Sequence, residues 1–481
     1  MKKALLSLAL SALLSLPALP VCADDIYLPQ LGTAGSLGLS VQREEQLGDL
    51  FMRHARGSLP LINDPVMEEY LNSVGQKLIL HADNVYFPFE FFLVNDVTLN
   101  AAAFLGGKVQ VNAGLFIYSQ TEDEFASVLA HEITHVTQRH LARYIESQSL
   151  KNNVTLASMI GSVVMAIINP AIGMAAANVS MGSALQSSIN FTRDNEYEAD
   201  RIGIYLLYRA GFNPEGMVDM FRSLLSLQGN LNPAFVMLID HPLSEIRVAE
   251  AQNRILALPR RDNSRNPDFF MAKARADVRY SRQKASDLLP VLNTTPPVKD
   301  PVYIHYAKAL TYYELGDTAR AREELSALGD SLQNNGFVLD LKTDLDLRDG
   351  NAGAAITRLT RALKRTPRSL TIVANLANAY LSSGKYSDAI KVLRDYHRRN
   401  EPGLTSLSLL TDAYEKNRQR CEALQTRGDF LALKAAYPGA IGAFNEALQI
   451  CRDDMTREKI KARVVQISEQ RSDDEAIMHG R

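Results

Sequence analysis

A mainly α-helical fold with a small β-sheet, built as an N-terminal unit that carries chemistry and a C-terminal stack of paired helices, is what this 481-residue sequence predicts. Three observations carry that prediction. The pentapeptide His131-Glu132-Ile133-Thr134-His135 lies inside a helical pattern of apolar residues, Val109-Gln110-Val111 alternates like a short strand just before it, and glycine and alanine recur every 34 residues beyond residue 300. With 46% hydrophobic and 22% charged residues, the chain has the composition of a folded protein and the length for two or three domains.

Taken in order, residues 1–23 read as a secretory leader. Lys2 and Lys3 precede an apolar run from Ala4 to about Leu19, and Val21-Cys22-Ala23 offers a small-residue cleavage site before Asp24, so the chain is expected to be exported. Cys22 raises a lipid anchor as an alternative, although Val21 is a poor residue before a lipidated cysteine. Loss of Lys2 and Lys3 with the leader takes the formal charge from −2 to −4, and no basic block or aromatic-interleaved basic patch is present, so nothing supports nucleic-acid binding.

Residues 24–260 are expected to form a zinc-dependent hydrolytic domain. Thr121 followed by Glu124 reads as a capping box, and Phe125, Val128, Leu129, Ile133 and Val136 recur at helical spacing in a helix expected to run to about Gln148. At positions i and i+4 the imidazoles of His131 and His135 share one helix face and can hold one ion at about 2.0–2.1 Å, with Glu132 beside it as general base for an attacking water. A third histidine at the usual longer spacing is missing: Leu141 stands there, and Gln138 stands where glycine is needed. His140 would lie about 140° around a continuous helix from His135 and reads as a surface or packing residue. A carboxylate fits better. Asp194-Asn195-Glu196-Tyr197-Glu198-Ala199-Asp200-Arg201 opens a helix that stops at Gly211 before Pro214. Glu196 would complete a His2Glu set, Asp200 one turn on would orient a ligand imidazole, and Glu198 would be solvated. The blander alternative is an acidic cluster that complements a helix N-terminus.

Asn152 to Thr192 contains no charged residue and is rich in Ala, Met, Gly and Ser. Asn169-Pro170 splits it into pieces shorter than a membrane span needs, so a helical hairpin on the catalytic domain, or peripheral membrane contact through 152–192, is expected. Residues 261–300 read as a helical junction, bounded by the polar Leu258 to Asn266 and by Asn293-Thr294-Thr295-Pro296-Pro297. Across 301–472, Gly316, Gly350 and Gly384 are each followed five residues later by Ala321, Ala355 and Ala389, which is the tetratricopeptide (TPR) period of paired helices forming an α-solenoid. Arg418 replaces the next glycine while Ala423 keeps the alanine, so the pattern is expected to degrade into capping helices, and 473–481 into a flexible tail. Cys421 and Cys451 are expected to form one disulfide in an oxidising compartment, two buried thiols being the alternative.

The three motifs HEITH, Asn195-Glu196-Tyr197-Glu198-Ala199-Asp200-Arg201-Ile202-Gly203, and His241-Pro242-Leu243-Ser244-Glu245-Ile246-Arg247, in this order and spacing, resemble the HtpX and CAAX prenyl protease family of metallopeptidases, whose domain is zincin-like. That resemblance implies His131, His135 and Glu196 as ligands of one Zn2+ per subunit and Glu132 as base. It puts His241 and Arg247 near the metal, where His241 is either a donor to the tetrahedral oxyanion, anchored by Arg247, or a fourth ligand that holds the site closed. Asn100 to Phe116 also resembles the family's strand before the active-site helix; as an edge strand, Val109 to Val111 could align an extended peptide, and a covered edge is equally open. With leader and repeats included, the chain is similar to periplasmic members of the family. This implies a periplasmic zinc endopeptidase acting on unfolded or stalled outer-membrane proteins and in contact with their assembly machinery, the repeats holding substrate or partner. The competing class is a TPR chaperone or assembly scaffold with a latent metal site.

Overall fold

The computed structural model describes residues 39–152, 193–228, 241, 243–262 and 265–478. The leader, and the membrane contact expected of the uncharged stretch ending at Thr192, lie outside the described residues. Among those described, no helix is long and apolar enough to cross a membrane.

Helices α1 (Val41–Ser58) and α2 (Pro65–Ile79) open the fold. Ser40 caps α1 by accepting from the Arg43 N–H, and Pro65 starts α2 where its missing N–H leaves no bond unmade. A three-stranded sheet follows, with β1 (Glu90–Val94), β2 (Ala101–Ala103) and β3 (Lys108–Asn112) in the order β1-β3-β2. β1 runs parallel to β3 with Phe91 opposite Val109, and β2 runs antiparallel with Ala102 opposite Gln110. Of the two readings open for Val109 to Val111, a free edge and a covered one, the covered one holds: they lie in the central strand, because β2 folds back over the tight Leu105–Gly107 turn and takes the outer position. That turn requires glycine: φ is +67° at Gly106 and +77° at Gly107. Gly48 of α1 approaches so closely that a Cβ there would sit 2.4 Å from the Leu105 carbonyl oxygen.

After α3 (Ala113–Tyr118) comes the central helix α4 (Glu122–Thr137), buried along its whole length. Its cap differs by one residue from a capping box: Thr121 accepts from the Glu124 N–H, but the Glu124 carboxylate accepts from Gln120 rather than Thr121. The helix ends at Thr137, not near Gln148. Arg139 adopts φ +53°, and a separate helix α5 (His140–Asn152) begins beyond it. Helices α6 (Arg193–Arg209) and α7 (Glu215–Gln228) pack on α4, and α8 (Glu245–Leu256) packs on both. At Gly203 of α6 a Cβ would be in ordinary contact with α4, 3.6 Å from the Ala130 carbonyl carbon.

The remaining helices come in pairs: α9 (Pro267–Arg279) with α10 (Ala285–Thr294), α11 (Pro301–Glu314) with α12 (Thr318–Ala327), α13 (Gly336–Arg348) with α14 (Ala352–Arg365), α15 (Leu370–Ser382) with α16 (Tyr386–His397), and α17 (Leu404–Lys416) with α18 (Arg420–Ala432). Gly316, Gly350 and Gly384 turn the chain within three of these pairs at φ +84°, +76° and +72°. Arg282 and Arg418 stand one period before and one after, at φ +64° and +60°. The turn geometry therefore persists where the glycines stop, and Ala423 is buried as Ala321, Ala355 and Ala389 are. The segment expected as a junction, 261–300, contains α9 and α10, which are joined through the left-handed Arg282 and both pack on α11.

Helices α19 (Tyr437–Ile450) and α20 (Asp454–Met478) close the chain. Residues 473–478 belong to α20 and do not form the expected tail. Asp474 is 1% exposed and accepts from the Arg53 guanidinium at 2.6 and 3.2 Å and from the Tyr437 hydroxyl, which fixes the end of α20 on α1. The Cys421–Cys451 disulfide ties α18 to the end of α19. N-terminal unit and array share one hydrophobic core, with Phe125 6.3 Å from Phe269 and Tyr70 6.4 Å from Phe337 between ring centroids. Polar contacts reinforce the junction: Arg275 donates to Asp64 and pairs with Asp340, and Glu69 accepts from Ser369 and Thr371 at the start of α15.

Two outcomes follow for stability. Cys421→Ser is expected to cost roughly 2–4 kcal/mol for a loop of this size, read as a lower melting temperature that reductant reproduces in the wild type. Glu68 is raised to about 7 by burial and by the neighbouring Asp64 and Glu69 charges, so the folded state holds its proton more tightly than the unfolded chain does. Its contribution is present below the unfolded value near 4.5 and is lost as pH rises through 7. Glu68→Gln is therefore expected to melt like wild type at pH 4.5 and to be more stable at pH 8, by up to about 3 kcal/mol in urea titrations.

Candidate metal centre

The centre is built where α4 and α6 cross. One turn apart on α4, His131 and His135 bring their Nε2 atoms to 3.0 Å from each other, both rings buried. Glu196 near the start of α6 faces them, with Oε2 3.4 Å from His131 Nε2 and Oε1 3.5 Å from His135 Nε2. His241 completes the group: its Nδ1 lies 3.3 Å from His131 Nε2 and 3.0 Å from Glu196 Oε1. Four donor atoms, one from each residue, thus lie within 4.8 Å of one another. A tetrahedral ion with ligand bonds of about 2.0–2.1 Å, as for zinc, needs ligand atoms about 3.3 Å apart. The cluster has that spacing, and two imidazoles, a carboxylate and a third imidazole are donors such an ion accepts.

Charge is arranged to suit a cation. Burial opposes the protonated form of His131, yet its interactions with Asp200 and Glu196 outweigh that and push its pKa up to about 10. Burial would raise Glu196, but the His241 charge and hydrogen bonds from His131 and His241 hold it well below the usual carboxylate range. His135 is driven well down by burial and by His131, which keeps it neutral as a ligand must be. Asp200 Oδ1 sits 3.1 Å from His131 Nδ1 without closing a hydrogen bond of ordinary geometry. Arg247 holds Asp200 through Nε and Nη2 at 2.7 and 2.8 Å and reaches Glu196 Oε2 through Nη1 at 3.0 Å. Arg247 thus anchors two carboxylates beside His241.

Glu132 is fully buried, and burial, ahead of the opposing pull of His241 and His131, raises its pKa. The Ala103 N–H of β2 approaches its carboxylate without closing a hydrogen bond of ordinary geometry, and His241 Nε2 lies 3.5 Å from Oε1. The outer strand β2, rather than β3, therefore passes the general-base position.

Two residues depart from expectation. His140 is fully buried, neither a surface residue nor simple packing, with Nδ1 2.8 Å from His135 Nδ1 and Nε2 3.0 Å from Glu198 Oε2. Glu198, expected to be solvated, is half-buried and is held down to about 2, first by its hydrogen bond with His140 and also by Arg143. The break at Arg139 brings His140 back toward His135, and nothing local announces it. Arg139 is fixed by Glu44, 2.6 Å from its Nε, and by the Leu39 carbonyl, both about a hundred residues earlier.

Comparison with known proteins agrees with this geometry. The model of Peptidase family M48 matches residues 65–255, and the Tetratricopeptide repeat model matches residues 346–401. The Beta-barrel assembly-enhancing protease of Escherichia coli (strain K12) is 37% identical over 97% of this chain and 96% of its own length. The Putative beta-barrel assembly-enhancing protease of Vibrio cholerae is 36% identical over 95% of both chains. The Mitochondrial metalloendopeptidase OMA1 of Schizosaccharomyces pombe is 26% identical over 38% of this chain and 51% of its own. A mainly helical chain with a small sheet, a buried His-His-Glu-His cluster and a repeat array, alike over its length to the beta-barrel assembly-enhancing proteases, this protein belongs to the M48 family of metallopeptidases.

Proposed function

We propose that the chain is a periplasmic zinc endopeptidase acting on unfolded or stalled outer-membrane proteins, with its TPR array holding substrate or a partner of the assembly machinery. The observation that carries the reading is the four-donor cluster with Glu132 buried beside it. Bound zinc would be held by His131, His135 and Glu196 and would supply Lewis-acid polarisation of the scissile carbonyl. Glu132 takes a proton from the attacking water and passes it to the leaving amine; its burial raises its basicity for that task. The outer strand β2 offers backbone groups along which an extended substrate can align.

His241 acts as a latch in this reading, because its Nδ1 stands at the same separations from His131 and Glu196 as those ligands have from each other. Substrate then gains the fourth position only when His241 leaves it. Export is supported by the leader in residues 1–23, by the disulfide, which suits an oxidising compartment, and by the likeness to the assembly-enhancing proteases. A scaffold role is favoured by a cavity of about 600 Å³ between the array and the Leu59–Pro65 segment, lined by Arg56, Asn63, Arg279, Asn378, Ser408 and Lys434. A polar wall carrying both donors and acceptors can hold a peptide backbone with or without cleavage.

Digestion of an unfolded model protein tests the reading. Glu132→Gln is expected to lose at least about a thousandfold in cleavage while retaining one zinc per chain, because only the proton transfer is removed; undiminished cleavage would sink the base assignment. His241→Ala is expected to cut several-fold faster than wild type. A variant as inactive as Glu132→Gln would instead assign His241 to oxyanion stabilisation.

A further inference from the structure

We propose that His140, held in turn by Glu198, is a positioning residue that fixes the tautomer and ring orientation of His135. The inference rests on the reading of His131, His135 and Glu196 as zinc ligands. It begins with a hydrogen count. His135 turns Nε2 toward His131 and Glu196, which leaves Nδ1 facing His140 Nδ1 at 2.8 Å. Two ring nitrogens at that separation share one hydrogen, so one donates and the other accepts.

Which one donates is decided at the far side of His140. Its Nε2 lies 3.0 Å from Glu198 Oε2, and an ionised carboxylate only accepts, so His140 carries its hydrogen on Nε2. Arg143 donates to the same Glu198 oxygen at 2.9 Å and keeps that carboxylate an acceptor. Neutral His140 then has its lone pair on Nδ1, His135 donates from Nδ1–H, and His135 Nε2 is left with the lone pair that a metal requires. His140 is fully buried, so solvent does not replace it.

Helix α6 consequently supplies more than Glu196. Asp200 Oδ1 stands 3.1 Å from His131 Nδ1, and Glu198 holds His135 through His140, so one helix bears the carboxylate ligand and carboxylates beside both imidazoles. The left-handed turn at Arg139 makes this possible, because an unbroken helix would carry His140 about 140° away from His135.

The test uses the full chain with zinc content, zinc transfer to a chromophoric chelator and the visible spectrum of the cobalt-loaded protein as readouts. His140→Leu keeps bulk and removes the acceptor; it is expected to weaken zinc binding roughly 10- to 100-fold and to shift the cobalt bands. His140→Asn places an amide oxygen near the former Nδ1 and is expected to stay within a few-fold of wild type. Glu198→Ala, at a half-buried position that tolerates truncation, is expected to weaken zinc binding roughly tenfold and provides the readout if His140→Leu does not fold. Wild-type affinity in His140→Leu or in Glu198→Ala overturns the proposal. So does a loss in His140→Asn equal to that in His140→Leu, which would assign His140 to packing. A wild type that binds no zinc would be a different failure, that of the metal-centre reading itself.

Discussion

Everything at the centre depends on two carboxylates, Glu196 and Asp200, being held in a dry helix crossing. Anions there are tolerable only if opposite charge and hydrogen bonds replace the lost water. Arg247 supplies one positive group, bonding Asp200 with two nitrogens and Glu196 with the third, and is itself buried. A cation among His131, His135 and Glu196 would supply the other. The packing of α6 on α4, and the placing of α8 so that Arg247 reaches inward, are conditions for that balance.

Much of this was legible in the sequence because it is periodic. Histidines four apart on a helix, carboxylates four apart on another and glycines 34 apart are patterns that short-range geometry turns directly into structure. The start of helix α4 at Thr121 and the shared face of His131 and His135 follow from that reasoning. What escaped it depends on contacts remote in sequence. Whether the strand at Val109 to Val111 had a free or a covered edge stayed open, because its neighbour is three alanines with no alternation to betray it. The break after Thr137 is stabilised by Glu44 and the Leu39 carbonyl, so a helical pattern running through Arg139 conceals it.

The repeat array shows the same division. Its period was visible only where glycine marks the left-handed turn, although Arg282 and Arg418 adopt that turn as well. Such a conformation costs a non-glycine residue about 1–2 kcal/mol, which packing of the flanking helices can offset. Tertiary structure therefore carries the repeat one unit past the glycines in both directions.

Arg53 and Asp474 stand 421 residues apart in sequence and touch in space, so α1 and α20, the first and last of the described helices, are clasped together. The entropy of closing a loop grows only logarithmically with its length, which makes such a clasp thermodynamically tolerable. The same helix α1 supplies Glu44 to Arg139 at the turn beside the histidines. Completion of the C-terminal helix thereby adds one more contact to the helix that supports the reactive centre, beside those that Arg56 and Phe51 make with the sheet.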